Sequence, residues 1–161
     1  LLATSGDRII ALPYGNPDIA LAKRLAPSEL RLYSAYGYER LSFHLNRRIP
    51  EENSTISSTG ESALSAPLRK KYTQNRQALT TLSSVVNAPD VLAQRAKLAV
   101  LLSPTLNSDE RRIFSYNAES SVAKTLNRLR ITGGKYQIAA KTGKLPVTVI
   151  NDFSVPVIVN I

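Results

Sequence analysis

The sequence predicts an α+β fold, with helices through the middle of the chain and short strands at its end. Two observations carry that prediction. Between Pro67 and Leu129, apolar residues recur at intervals of three and four, the period of a helix face. After Arg130 the period falls to two, the period of a strand. A third observation places a strand–loop–helix unit, the repeating element of α/β folds, near the start.

The elements follow in order. Arg8 to Leu12 is a short apolar run, β-branched at Ile9 and Ile10, and reads as a buried strand. Pro13-Tyr14-Gly15 breaks it. Asn16 suits a helix cap, Pro17 the first helical position and Asp18 the positive helix start, so a helix is expected over Pro17–Ala26. Another is expected over Ser28–Leu45, weakened at Gly37. "RRIPEENSTISSTGESALSAP" is rich in Ser, Thr, Glu and Gly and reads as a linker, about 49–66. A helix over Pro67–Val86 carries Leu68, Tyr72, Leu79, Leu82 and Val86. Asn87-Ala88-Pro89-Asp90 stops it and starts the next, which runs to Leu102 before Ser103-Pro104. Asn107 and Glu110 have the spacing of a capping box, and the helix they open carries Phe114, Ala118, Val122 and Leu126 to about Leu129.

Strands are then expected over Tyr136–Ala140, Leu145–Ile150 and Val155–Ile161. Lys141 to Lys144 forms one turn and Asn151-Asp152 another. Pro146 and Pro156 each remove a ladder donor, which suits strand starts or edges. "KLPVTVINDFSVPVIVNI" therefore reads as a hairpin whose apolar faces need a second sheet or a helix over them. The expected organisation is an α/β region over 1–48, a linker over 49–66, a helical segment over 67–130 and the start of a β-domain over 131–161.

Composition narrows the function classes. The chain has 161 residues, 43% hydrophobic and 20% charged, enough for a buried core. It begins at Leu1 and contains no Met, which reads as a piece of a longer protein. Without cysteine it has no disulfides and no thiolate metal site. No apolar stretch is long enough to span a membrane as a helix. The net charge is +9, and the excess lies in residues 61–161, with 14 basic and 6 acidic side chains against 7 and 6 in residues 1–60. Such a surface suits anionic wall polymer, lipid head groups or nucleic acid. The plain alternative is a solvated basic surface.

Two stretches resemble a known family. "ALPYGNPDIALA" and "GKLPVTVINDFSVPVIVNI" are similar to segments of large exported actinobacterial envelope proteins anchored by one transmembrane helix. In that family a Leu-Pro-Tyr-(Gly/Ala)-Asp/Asn-Pro-Asp stretch lies in a barrel-like α/β region, matched here by Leu12 to Asp18. An immunoglobulin-like domain there opens with Gly-x-(Ile/Leu/Val)-Pro-Val-Thr-Val-x-Asn, matched by Gly143 to Asn151. The resemblance implies an extracytoplasmic setting, an anchor elsewhere in the protein, other envelope proteins as partners and an Ig-like sandwich begun by the final hairpin. The segment after Pro50 is shorter than a full barrel would need.

The candidate chemistry is sparse. Tyr14, Asn16 and Asp18 form a loop that could face a glycan, as a similar Pro-Tyr-Gly segment does in polysaccharide deacetylases. Helix capping accounts for the same residues without chemistry. His44 is the sole histidine and has no second ligand at metal spacing, so no metal and no cofactor are expected. A Ser-His-Asp set stays open, but no nucleophile elbow is present. The basic clusters are Arg69-Lys70-Lys71 and Arg111-Arg112, with Arg128 and Arg130 near the latter. They lack the interleaved aromatics or recognition helix of a nucleic-acid module. Thr132-Gly133-Gly134-Lys135 lacks the spacing of a phosphate loop and precedes a strand. The leading expectation is a non-catalytic structural or interaction segment of an exported envelope protein, contacting anionic polymer or lipid. The rivals are part of a deacetylase- or glycosidase-like barrel enzyme and a cytoplasmic nucleic-acid-binding protein.

Overall fold

A computed structural model describes residues 9–49, 64–133 and 147–158. Within them the chain is α+β, with five α-helices and a two-stranded antiparallel sheet. Helix α1 spans Ile19–Leu25 and α2 spans Leu30–Leu45, joined through a 3-10 turn at Pro27–Glu29. Helix α3 spans Ala66–Val85. Helix α4 spans Pro89–Lys97 and tightens into a 3-10 stretch over Leu98–Leu102. Helix α5 spans Ser108–Leu126.

The first unit departs from expectation. Its helix forms, but residues 9–12 are not a strand. The chain instead crosses α2, and Gly37 is where it crosses. A Cβ at Gly37 would sit 2.3 Å from the carbonyl oxygen of Leu12 and 2.8 Å from the amide of Tyr14. The amide of Tyr14 donates to the carbonyl of Tyr33 at 2.9 Å. The glycine that weakens α2 locally is thus required by tertiary packing, and α2 runs through it unbroken. The cap also moves. Gly15 (φ 75°) and Asn16 (φ 45°) are both left-handed, so Asn16 does not cap; Asp18 does, its Oδ1 accepting from the amide of Leu21 at 3.0 Å.

Helix α3 lies across both α4 and α5. Tyr72, Leu79 and Leu82 face inward from α3 and meet Val91, Leu98 and Leu102 in one buried cluster with Val122 of α5. Two polar contacts fasten α2 to this core. The phenol oxygens of Tyr33 and Tyr72 are 2.7 Å apart. Glu29, 1% exposed, accepts two bonds from Arg95 at 2.8 and 2.9 Å and one from Thr80 at 3.3 Å. Arg95 also donates to Ser83 at 2.8 Å. A buried carboxylate is tolerable only with such partners. The capping box at α5 forms as its spacing predicts. Asn107 Oδ1 accepts from the amides of Asp109 and Glu110, and Glu110 accepts from the amide of Asn107 at 2.9 Å.

The sheet pairs differently from the hairpin read in the sequence. Strand β2, Val147–Asn151, pairs backwards with β1, Leu129–Gly133, in the register Leu129↔Asn151 and Ile131↔Val149. Within the described residues it does not pair forwards with 155–158. The turn at Asn151 does form: its Oδ1 accepts from Phe153 N at 3.0 Å and its Nδ2 donates to Val155 O at 2.9 Å. That turn sends the chain onto the helices. Phe153 is buried in the helical core, and Val157 makes an isolated bridge with Val86 at the end of α3. Burying Phe153, Val155 and Val157 removes more apolar surface from water than a bare two-stranded pairing would. Pro156, lacking an N–H, further disfavours a ladder there. A two-stranded antiparallel hairpin is thus present towards the C-terminus, as expected, but its strands are 129–133 and 147–151, and no ladder joins 147–151 to 155–158. Tyr136–Ala140, the turn at 141–144 and residues 159–161 lie outside the described residues, as does most of the expected linker. Among the described residues no helix is long and apolar enough to cross a membrane.

Candidate functional site

The loop from Pro13 to Asp18 is held at three points. The amide of Asn16 returns to the carbonyl of Pro13 at 2.9 Å, closing a turn, and the amide of Asp18 donates to the carbonyl of Leu102 at 2.9 Å. Gly15 presses on the 3-10 stretch after α4, where an added Cβ would lie 2.7 Å from the amide of Val100. Only glycine meets both that approach and the positive φ. The three residues read together in the sequence thereby separate in role. Asn16 takes the left-handed turn position, and Asp18 is buried as the cap of α1. Tyr14 alone borders a cleft, its ring edge-on to Tyr36 at 5.0 Å between centroids.

That cleft, about 280 Å³, lies between α4 with its 3-10 extension and α5. Leu98, Val100, Leu101 and Val122 form its apolar wall, with Phe114 of α5, 43% exposed, beside them. Gln94, Lys97, Asn117 and Ser121 supply the polar groups. Gln94 is engaged at both amide atoms, donating to Ser121 at 2.6 Å and accepting from Thr125 at 2.5 Å. Sequence reading missed this site because its residues are scattered over a loop and two helices.

The basic candidates divide sharply. Arg111 is 5% exposed and donates to the carbonyls of Leu101 at 2.7 Å, Ser103 at 2.9 Å and Leu106 at 3.0 Å. It clamps the loop between α4 and α5, and burial pushes its pKa down. It is therefore not part of a basic surface, which corrects the sequence expectation. Arg112 pairs with Asp109 at 3.4 Å and Lys71 with Glu119 at 2.7 Å. Arg128 pairs with Asp90 and lies 4.0 Å over the ring of Phe153. Arg130 pairs with Asp152 at 2.9 Å. Arg69 and Lys70 are exposed and have no carboxylate partner among the described residues. They stand in the first turns of α3, which begins without an acidic residue and whose N-cap, Ser65, makes no side-chain cap bond.

His44, at the exposed end of α2, contacts Arg40 at 3.3 Å. Among the described residues no group of three or more His, Asp or Glu could hold a metal ion. No family model matches this chain, and neither a curated protein nor a solved structure matches it.

Proposed function

We propose that this chain is a non-catalytic structural and interaction segment of an exported bacterial envelope protein, contacting an anionic wall polymer or anionic lipid through the start of α3. One observation carries the reading. Arg69 and Lys70 stand exposed in the first turns of α3 with no carboxylate partner among the described residues, where the backbone dipole adds to their positive charge. The helix dipole disfavours cations there, and a bound polyanion would offset both the charges and the dipole. The envelope setting rests on the resemblance at Leu12–Asp18 and Gly143–Asn151, and the protein's anchor and neighbouring envelope partners belong to the same proposal.

The test is sedimentation with vesicles containing phosphatidylglycerol, and with a teichoic-type polyphosphate, across a salt series. Binding is expected to weaken steeply as salt rises and the screening length shortens to about 8 Å. Arg69→Glu with Lys70→Glu should abolish it, whereas Arg112→Glu, at an already paired position, should change it little. Binding that ignores salt, or that survives the double reversal, overturns the proposal. Preference for duplex DNA over both anions would transfer it to the nucleic-acid class.

A further inference from the structure

The cleft beside Tyr14 uses none of the residues at the start of α3. Its wall is aliphatic and aromatic, from Leu98, Val100, Leu101, Val122 and Phe114. The polar groups at its border fall into two kinds. Gln94 and Ser121 are tied to each other, so they offer little to a ligand. Lys97, Asn117 and Tyr14 make no side-chain hydrogen bond or ion pair with another described residue. An ammonium, an amide and a phenol thus border an apolar hollow with no side-chain partner among the described residues. Lys97 ends α4, where the helix dipole favours a cation without neutralising it.

The volume limits what enters. About 280 Å³ lies just below the ~300–1,000 Å³ of sites for drug-sized ligands. It corresponds to roughly nine waters at ~30 Å³ each, room for one ring or a short branched chain. Apolar surface in the hollow is stabilised by leaving water, and Lys97, the one charged group among the described residues at the border, selects the sign of the ligand.

We infer that this cleft binds an apolar group of one ring or one short branched chain that carries a carboxylate, with the apolar body against Phe114 and Val100 and the carboxylate at Lys97. Two sources share that chemistry: a free aryl or branched-chain acid, and the C-terminal residue of a peptide ending in Phe or Leu.

The experiment is a titration of the whole 161-residue chain followed by NMR shifts, using 3-phenylpropionate, its neutral amide and a tetrapeptide ending in Phe. Saturable millimolar or tighter binding of the acid is expected, with shifts at Val100, Ala118 and Val122. Lys97→Gln should weaken the acid at least fivefold and leave the amide unchanged. Phe114→Ala should weaken both. Both side chains are exposed, so both variants should keep the parent's circular-dichroism spectrum. Tighter binding of the tetrapeptide than of the free acid assigns the site to chain ends, and the reverse assigns it to small acids. Absence of saturable binding by all three probes overturns the inference. So does acid binding that Lys97→Gln leaves intact.

Discussion

Two helix starts in this molecule carry adjacent basic residues and put them to opposite use. At the start of α5, Arg111 is buried and donates to three carbonyls of the preceding loop, beneath a capping box and two acidic residues that complement the helix dipole. At the start of α3, Arg69 and Lys70 face outward with no acid in the first turn and no side-chain cap. The difference teaches that a basic pair becomes structural when a neighbouring loop leaves carbonyls unpaired within reach. Residues 101–106 do that for Arg111. No described segment does so for Arg69 or Lys70.

The comparison breaks most visibly at Arg111. Arg111→Ala leaves the carbonyls of Leu101, Ser103 and Leu106 without their donor, and the expected loss is about 3–5 kcal/mol in urea unfolding. Arg111→Lys should recover only part of it, because one ammonium cannot reproduce the planar fork. A parent-like midpoint in Arg111→Ala would remove the contrast.

Glu29→Gln asks whether a buried cation is as firmly held by a carboxylate as by carbonyls. Arg95 loses its charged partner and keeps Ser83, so a loss of about 2–4 kcal/mol is expected. Equal stability of Glu29→Gln and parent would mean that the ion pair only balances its desolvation.

The Tyr33–Tyr72 contact gives the pH dependence. Burial pushes the Tyr33 phenol well above its ordinary value and the Tyr72 phenol up to about 12. A folded pKa above the unfolded one means that this contribution is complete below pH ~10 and is lost as pH rises towards 12. Stability should fall there by up to about 1.4 kcal/mol per pH unit for each phenol. Tyr72→Phe should flatten that slope, while costing about 1–3 kcal/mol at neutral pH through the unpaired Tyr33 hydroxyl. An unchanged alkaline slope in Tyr72→Phe would exclude this phenol from the effect.

The smallest effects sharpen the contrast at the caps. Asn107→Ala should cost about 1 kcal/mol, since its oxygen accepts from two amides. Ser65→Ala should cost nearly nothing, because its side chain makes no cap bond. Arg69→Glu should raise stability by a few tenths of a kcal/mol through the dipole while lowering polyanion binding. A destabilised Arg69→Glu would give Arg69 a structural partner.

The helices were legible because their signals are local. The periodic apolar residues of α3, the Pro89 start of α4 and the Asn107–Glu110 box each act within one or two turns, and all three appear where their spacing puts them. The alternation at 147–151 likewise identifies a strand. What such signals do not carry is a partner. A strand pattern leaves the pairing edge open, so whether Val147–Asn151 pairs with 129–133 or with 155–161 depends on what else can bury Phe153, Val155 and Val157. The α3 end offered that burial. Gly37 looks like a local fault until Leu12 crosses it, and Arg111 looks like surface charge until the loop at 101–106 supplies its carbonyls. The cleft at Tyr14 exists only once a loop and two helices meet. Sequence by itself determined where backbone hydrogen bonds close locally, because capping and periodicity are short-range. Tertiary structure decided which strands pair, which charges are buried and where a hollow remains, because those outcomes depend on groups distant in the chain competing for the same water-free surface.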